Sequence, residues 1–334
     1  MRAVFLFQIL AICWLYAPVS NASYLGRDDV ETYIDQLVED HEFSRAALEQ
    51  IFAEARHSER IIDLISRPAE RRLVWHEYRE ILVDEPRIRQ GLLFWDENLA
   101  ILEKASDRYG VPIEIIVAII GVETRYGRIT GGFSVVNALA TLGFDYPPRA
   151  KFFRGELTQL LLLAREEGKD PMSLKGSYAG AMGYGQFIPS SYRNYAIDFD
   201  EDGVRDIWTN KTDAIGSVAN YFARHGWSGS MPTVLPATVA TPTPELLDLA
   251  NASLKPTRAL GEWQALGVVL EQTEGVRPES WWPATLLRLE QAEGADFWLG
   301  FEDFYVVTRY NHSRLYAMAV LQLSQAIRER REAG

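Results

Sequence analysis

The chain is poor in sulfur and imidazole: it has one cysteine, Cys13, and five histidines. Cys13 lies in an apolar N-terminal run, so removal of that run leaves no thiol. This excludes disulfides, a cysteine nucleophile and a thiolate metal site. His41, His57, His76, His225 and His312 are scattered, with no pair at zinc-ligand spacing. Positive charge is also short. The 34 Lys and Arg against 46 Asp and Glu leave a net charge of −12, which opposes binding to nucleic-acid phosphate and electrostatic capture by an anionic membrane surface. Beyond residue 22 no apolar run is long enough to span a bilayer, and there is no internal repeat or low-complexity tract.

The N-terminal run has its own logic. Met1-Arg2 is a short positive start, Ala3 to Val19 is nearly all apolar, and Ser20-Asn21-Ala22 ends it in small residues. This reads as a secretory signal peptide cleaved after Ala22, delivering a periplasmic protein. Anchoring through a lipid on Cys13 is the weaker alternative, because Ile12 is bulky and Trp14-Leu15-Tyr16 carries the apolar run past the cysteine.

At 334 residues and 47% hydrophobic the chain can bury a large core, as two domains or as one with an insertion. From Asp28 to about Gly110 apolar and charged residues interleave at helical spacing. Leu157, Leu160, Leu161 and Ala164 mark one later helix, closed by Gly168. Ile215, Val218, Ala219 and Phe222 mark another, with Asp213 as N-cap and Gly226 after its end. At Met231 the texture changes: Pro232, Pro236, Pro242 and Pro244 interrupt Thr- and Val-containing stretches. The runs Val268–Leu270, Leu286–Leu289 and Tyr305–Val307 read as short strands. Tyr316, Val320, Leu323 and Ile327 restore the helical pattern.

Glu123 carries the most information. It ends an almost wholly apolar run, Val111 to Val122, and precedes Thr124-Arg125-Tyr126-Gly127. Pro112 suits the first helical position and Gly127 a left-handed stop, bracketing about four turns. A helix apolar on nearly every face is buried on nearly every face. A carboxyl at its end is partly desolvated, which favours the protonated form that a general acid needs. The competing reading pairs Glu123 with Arg125 or Arg128 in a buried ion pair.

Three further segments could carry chemistry. Gly176 to Ser190 holds four glycines among aromatic residues. It lacks the features of a phosphate loop or a dinucleotide fingerprint, but it allows close backbone approach to a ligand. Ser177, Gln186 and its tyrosines suit a neutral polar ring such as a sugar; a tight packing turn is the alternative. Asp198, Asp200, Asp202, Gly203 and Val204 reproduce the first half of a calcium loop. Thr209 stands at the twelfth position, where a bidentate Glu is expected, and Asp213 could supply the missing carboxylate. The alternative is a solvated acidic turn. Finally, Thr308 to Tyr316 contains two tyrosines and an asparagine suited to a glycan wall. Aromatic residues usually belong to a core, and no tryptophan is assigned a site role.

Together, Gly121-Val122-Glu123-Thr124-Arg125-Tyr126-Gly127, the Gly176–Ser190 run, the Asp198–Asp213 loop and Arg309-Tyr310-Asn311-His312-Ser313 resemble the lytic murein transglycosylase B family. The resemblance covers about residues 28–330, with the motifs in the family's order and spacing. It implies a mainly α (α+β) fold: a lysozyme-like helical core with an N-terminal helical region and a small β-rich insertion. The expected organisation is signal peptide 1–22, helical region 23–110, catalytic core 111–230 with a calcium-type loop at 198–213, insertion 231–305, and a C-terminal helix over 306–334 packing back on the core.

The resemblance further implies that Glu123 is the single catalytic acid/base, that Ser177 orients it and that Gln186 contacts the N-acetylated sugar. Tyr78, Arg149, Tyr221, Tyr310, Asn311 and Tyr316 would line the glycan cleft. No cofactor is expected for catalysis. A structural calcium or sodium ion is expected on Asp198, Asp200, Asp202, Val204 and Asp213. Peptidoglycan strands are the expected partner, with cell-wall synthesis proteins as candidates beside them. One departure is Tyr146-Pro147-Pro148-Arg149: a member of the family carries two consecutive arginines there, and Pro148 removes a cation that could meet a stem-peptide carboxylate. The poor lipobox is the other, and it favours a soluble periplasmic form.

The activity so implied cleaves the β-1,4 bond between N-acetylmuramic acid and N-acetylglucosamine and closes a 1,6-anhydro ring without water. A lysozyme-type hydrolase would need a second carboxylate, about 5–5.5 Å away if retaining or about 6.5–9.5 Å if inverting. Asp145 and Glu156 are the sequence candidates for it. That hydrolase and a non-catalytic glycan-binding scaffold are the alternatives.

Overall fold

In the computed structural model residues 23–67, 73–271 and 277–333 are described, and the chain divides into two units, Met1–His57 and Ser58–Gly334. The signal-peptide and Cys13 readings fall on residues 1–22, outside the described residues. In the first unit, helices α1 (Asp28–His41) and α2 (Arg45–Glu54) bury Val30, Ile34 and Leu37 with Leu48 and Phe52. Tyr33 meets Phe52 edge-on at 6.0 Å.

The second unit begins with α3 (Glu59–Ser66), α4 (Trp75–Leu82), α5 (Glu85–Glu97), α6 (Leu99–Tyr109) and α7 (Ile113–Thr124). A two-residue strand β1 (Phe133–Ser134) leads into α8 (Val135–Phe144) and α9 (Ala150–Glu166). Strand β2 (Lys175–Gly176) then pairs antiparallel with β1, before α10 (Pro189–Tyr195) and α11 (Lys211–Arg224). Helix α7 is the axis of this unit. Its residues Ile115 to Gly121 are all buried. Each buried Ile or Val contributes about 1.5–3 kcal/mol, against the few tenths that β-branching costs in a helix. Burial decides the conformation. The apolar stripes of α4, α5, α6, α11 and the final helix pack around α7 in one core.

The β-rich part holds β3 (Val234–Val239), α12 (Pro244–Leu249), β4 (Arg258–Ala259), α13 (Leu260–Ala265), β5 (Val268–Leu270), β6 (Pro283–Glu290) and β7 (Ala295–Gly300). The sheet order is β4-β6-β7-β3-β5, antiparallel throughout. Leu286 faces the sheet's own core with Leu235, Trp263 and Leu299, while its neighbours Leu287 and Leu289 join the helical core. Strand β6 is therefore buried on both faces, as its near-continuous apolar sequence requires. Helices α14 (Glu302–Tyr310) and α15 (Arg314–Ala333) complete the chain.

Three local expectations are corrected. Tyr305–Val307 lies within α14, not a strand: Phe304, Val307 and Thr308 recur at helical spacing and bury together, and a three-residue run cannot be told from a strand by periodicity alone. Pro112 is the N-cap of α7 rather than its first residue, at φ −57°, ψ 140°. The N-cap of α11 is Asn210, whose side chain accepts from the Thr212 and Asp213 amides, and Asp213 has another task.

Candidate active site

Helix α7 ends at Thr124 through a left-handed cap at Arg125 (φ 49°), with Tyr126 and Gly127 continuing at φ 61° and 85°. Two non-glycine residues in that region are costly, and their surroundings hold them there. Tyr126 Oη donates to Arg87 O at 3.0 Å, with its ring against Gly121, where a Cβ would come within 2.5 Å of the phenol oxygen. The Thr124 hydroxyl donates to Tyr184 O at 2.9 Å and accepts from Gly127 N at 2.9 Å. Arg87, buried, donates from Nε to Gly121 O at 3.1 Å, placing a cation on the negative end of α7. These bonds fix the helix end that carries Glu123.

Glu123 is half-buried. Its Oε1 accepts from Tyr316 Oη at 2.5 Å, across from the first turn of α15. Burial comes first in pushing the Tyr316 phenol well above its ordinary value, and the neighbouring Glu123 charge adds to it. Tyr316 therefore stays a donor across the working pH range. Tyr310 is raised well above its ordinary value in the same order, by burial and then Glu123. The ion-pair alternative fails on geometry. Arg125 pairs with Asp84 at 3.2 Å, and Arg128 is exposed, with no ion pair among the described residues.

An aromatic wall stands beside the carboxylate. Tyr310 Oη donates to Gly185 O at 2.6 Å, and Tyr221 Oη donates to Arg309 O at 2.6 Å. Their rings lie 4.7 Å apart, and His225 stacks on Tyr221 at 4.0 Å. Burial lowers the His225 pKa, which keeps that stack neutral near pH 7. Tyr78, buried on α4, is close enough to Tyr316 for its charge to raise that phenol further.

The Gly176–Ser190 segment forms the floor, and the structure explains its glycines. At Gly176 a Cβ would meet Ala181 O at 2.2 Å, and at Gly185 it would meet Tyr310 Oη at 2.8 Å. The Ser177 hydroxyl accepts from the amides of Ala179 and Ala181 at 3.3 and 3.1 Å and makes no hydrogen bond to Glu123, whereas Tyr316 does. Gln186 adopts φ 49°, and its Nε2 donates to Thr130 O and Gly183 O at 3.1 and 3.0 Å. Its amide oxygen takes no hydrogen bond from a described residue and is free to accept.

The other predicted residues make contacts of their own. Arg149 stacks over Phe152 at 4.2 Å in a groove of about 680 Å³ with Pro147, Pro148, Glu156 and Ser190, a lining that does not include Glu123. Asn311 ends α14, half-buried, its carbonyl accepting from Ser313 N at 2.7 Å. Glu156 is committed elsewhere: its oxygens accept from Ser190 N and Oγ at 2.9 and 2.8 Å, at the start of α10. Burial raises its pKa, with those two bonds opposing.

In the acidic loop the carboxylates of Asp198, Asp200 and Asp202 lie within 4.8 Å of one another. Glu201 and Gly203 make the turn at φ 64° and 91°. Asp213 is outside this trio. It is fully buried, and its oxygens accept from Phe199 N and Asp206 N at 2.8 Å each, tying the two sides of the loop together. Its pKa is raised by burial first, with Asp200 and Asp198 adding to the effect. Three oxygen donors, from half-buried Asp198 and exposed Asp200 and Asp202, fit a hard cation such as calcium.

Sequence reasoning missed Thr124, Tyr126, Arg87 and His225. The signals were Thr124 beside Glu123 and the Asp84-Glu85-Pro86 helix start that positions Arg87; nothing local pointed to His225.

The chain matches known proteins along most of its length. The family model described as Transglycosylase SLT domain matches residues 26–325. Membrane-bound lytic murein transglycosylase B of Escherichia coli (strain K12) is 41% identical over 336 residues, spanning 94% of this chain and 88% of the relative. Among solved structures, catenated lytic transglycosylase SltB1 from Pseudomonas aeruginosa is 47% identical with a TM-score of 0.85, covering 92% of this chain and 99% of that one. The Escherichia coli lytic transglycosylase Slt35 in complex with calcium is 41% identical with a TM-score of 0.81, over 94% and 98%. With a carboxylate on a rigid buried helix, a phenol bonded to it and a glycine-rich floor beside it, the chain belongs to the lytic transglycosylase family and cleaves peptidoglycan without hydrolysis.

Proposed function

We propose that Glu123 is the only catalytic acid/base and acts twice in each turnover. Protonated Glu123 gives its proton to the glycosidic oxygen between N-acetylmuramic acid and N-acetylglucosamine. The bond from the muramyl C1 to that oxygen breaks, and the sugar develops oxocarbenium character. The resulting carboxylate takes the proton of the same sugar's C6 hydroxyl, whose oxygen closes on C1 as a 1,6-anhydro ring. Glu123 ends protonated, ready for the next bond. The observation that carries this reading is the Tyr316 hydrogen bond at 2.5 Å. It orients the carboxyl and stabilises its charged form after the first proton leaves, when the group must become a base.

Tyr78, Tyr221, Tyr310, Asn311 and Tyr316 line the glycan cleft in this proposal. The free amide oxygen of Gln186 accepts from the acetamido N–H of the bound sugar, and the uncommitted Ser177 hydrogen serves the same region. Arg149 contacts the strand further along, from its own groove. Glu156 and Asp213 are kept structural. The deciding experiment digests intact sacculi with parent and Glu123→Gln protein. The parent releases products lighter by one water than hydrolytic muropeptides, and the variant releases none above background. Equal release by both would sink the assignment of Glu123.

A calcium-type ion on Asp198, Asp200, Asp202 and the Val204 carbonyl would brace the acidic loop, with Asp213 holding the backbone that presents them. The relative crystallised in complex with calcium supports this assignment. It supplies rigidity, not catalysis. The enzyme acts in the periplasm after cleavage at Ala22. The relative named as membrane-bound keeps anchoring through Cys13 as the alternative, and the mass of the mature N-terminus distinguishes the two.

A further inference from the structure

One carboxylate, that of Asp84, stands between two arginines at the end of α7. Its Oδ1 accepts from Arg87 N at 2.6 Å and caps α5. Its Oδ2 lies 3.2 Å from Arg125 Nη2 and 3.7 Å from Arg87 Nη1. Neither arginine has another acidic partner among the described residues. Both are tied to the chain beside Glu123. Arg87 Nε donates to Gly121 O at 3.1 Å, and Gly121 precedes Glu123 by two residues, about 3 Å along the helix axis. Arg125 follows Glu123 by two residues, so their Cα atoms are at most about 7 Å apart. The two guanidinium groups act on each other: burial first, and then the Arg125 charge, lowers the Arg87 pKa, with Asp84 opposing.

An uncompensated cation here would favour ionised Glu123 and deplete the protonated form that the first step needs. The carbonyl end of α7 carries about half a negative charge, too little to offset two cations, and Asp84 supplies most of the rest. The two arginines differ in freedom. Arg87 is buried and also donates to Ile81 O at 2.6 Å. Arg125 is partly exposed, and its guanidinium has no hydrogen bond among the described residues except the one to Asp84. From other elements Glu123 faces the phenols of Tyr316 on α15 and Tyr310 on α14, both kept neutral by burial. Tyr78 on α4 stands by Tyr316. Tyr221 and His225 continue the wall, where the charge of exposed Arg309 acts on them. In the floor, Ser177 and Gln186 do not titrate.

We propose that Asp84 is a positioning residue for the reaction: it holds the Arg125 guanidinium and offsets the arginine pair, so that Glu123 stays available as an acid. This role rests on the reading of Glu123 as the acid/base. The test is the pH profile of kcat/KM on purified glycan strands for parent, Asp84→Asn, Arg125→Gln and the double variant, beside thermal unfolding of each. Asparagine caps a helix about as well as aspartate, so Asp84→Asn keeps the start of α5 and removes the charge. A unit charge near a carboxyl, screened over a Debye length of about 8 Å, moves its ionisation by about half a pH unit. The alkaline limb should therefore move down by about that much in Asp84→Asn, up by about as much in Arg125→Gln, and return to the parent's position in the double variant. Lost stability alone cannot move the two limbs in opposite directions, nor be rescued by a second substitution that removes the partner. An unmoved limb in either single variant, or a double variant shifted as far as Asp84→Asn, overturns the proposal. Should Asp84→Asn fail to fold, Arg125→Gln decides by the same criterion. Glu123→Gln assayed alongside separates the two readings. Parental activity in that variant removes Glu123 as the acid; its inactivity, with the other limbs unmoved, removes only the role of Asp84.

Discussion

Replacing Tyr316 with Phe keeps the buried ring and removes only the hydroxyl that donates to Glu123 Oε1 at 2.5 Å. A hydrogen bond to a charged group contributes about 1.5–3 kcal/mol. At about 1.36 kcal/mol per unit, its loss moves the ionisation of the bonded carboxyl upward by about 1–2 pH units. The phenol itself does not titrate in the working range, because burial holds it well above its ordinary value. The alkaline limb of kcat/KM, which reports the acid form of the free enzyme, should therefore move up by about 1–2 pH units in Tyr316→Phe. The maximal rate should fall, because the carboxylate that follows loses its stabilising and orienting partner. The assay is a pH–rate profile on purified glycan strands with product masses monitored, beside thermal unfolding of parent and variant. An unmoved alkaline limb, with only a lower melting temperature, would refute the idea that Tyr316 acts through Glu123.

Other consequences follow from the same structure. Chelation should lower the melting temperature, since an ion bound only by the folded state stabilises by about 2.7 kcal/mol at one hundred times its Kd; no shift with chelator in parent, or an equal shift in Asp198→Ala, would refute an ion on the acidic trio. Gly127→Ala places a Cβ 2.0 Å from the Tyr184 ring at φ +85° and should cost about 2–5 kcal/mol in urea unfolding, from left-handed strain and overpacking together; a loss below about 1 kcal/mol would show that Tyr184 yields freely. Tyr126, Tyr192, Tyr221, Tyr310 and Tyr316 are raised above the ordinary 10.0, by burial first. The unfolded chain releases these protons near pH 10 and the folded chain does not, so their contribution to stability is present below pH 10 and lost as pH rises above it. Ultraviolet titration should show these phenols ionising only on alkaline unfolding; a smooth titration of all fifteen tyrosines in the folded protein would contradict their burial.

Much of this protein is determined by local sequence. The apolar run before Glu123 can only be a buried helix, because burying its Ile and Val side chains outweighs their poor helix propensity. The glycines at 176 and 185 mark backbone that must approach other atoms closely, and alternate aspartates before Gly203 bring three carboxylates together within one turn. These are short-range consequences of chain geometry. Where the sequence misled, the signal was short or degenerate: Tyr305–Val307 is three apolar residues that suit a helix or a strand, and Asn210 and Asp213 are both plausible caps.

Tertiary structure alone decided which partner each polar group meets. That Tyr316, 193 residues from Glu123 in sequence, supplies its hydrogen bond depends on α15 packing against α7. The commitment of Glu156 to Ser190, of Asp213 to two loop amides and of Arg125 to Asp84 removes from the chemistry three groups that sequence had left as candidates. Hydrogen bonds and ion pairs are satisfied in space over a few ångströms, and residue spacing carries no such distance once the chain has turned. The sequence determined that a carboxyl would stand at the end of a buried helix; the fold determined that a phenol, and not an arginine, would stand beside it.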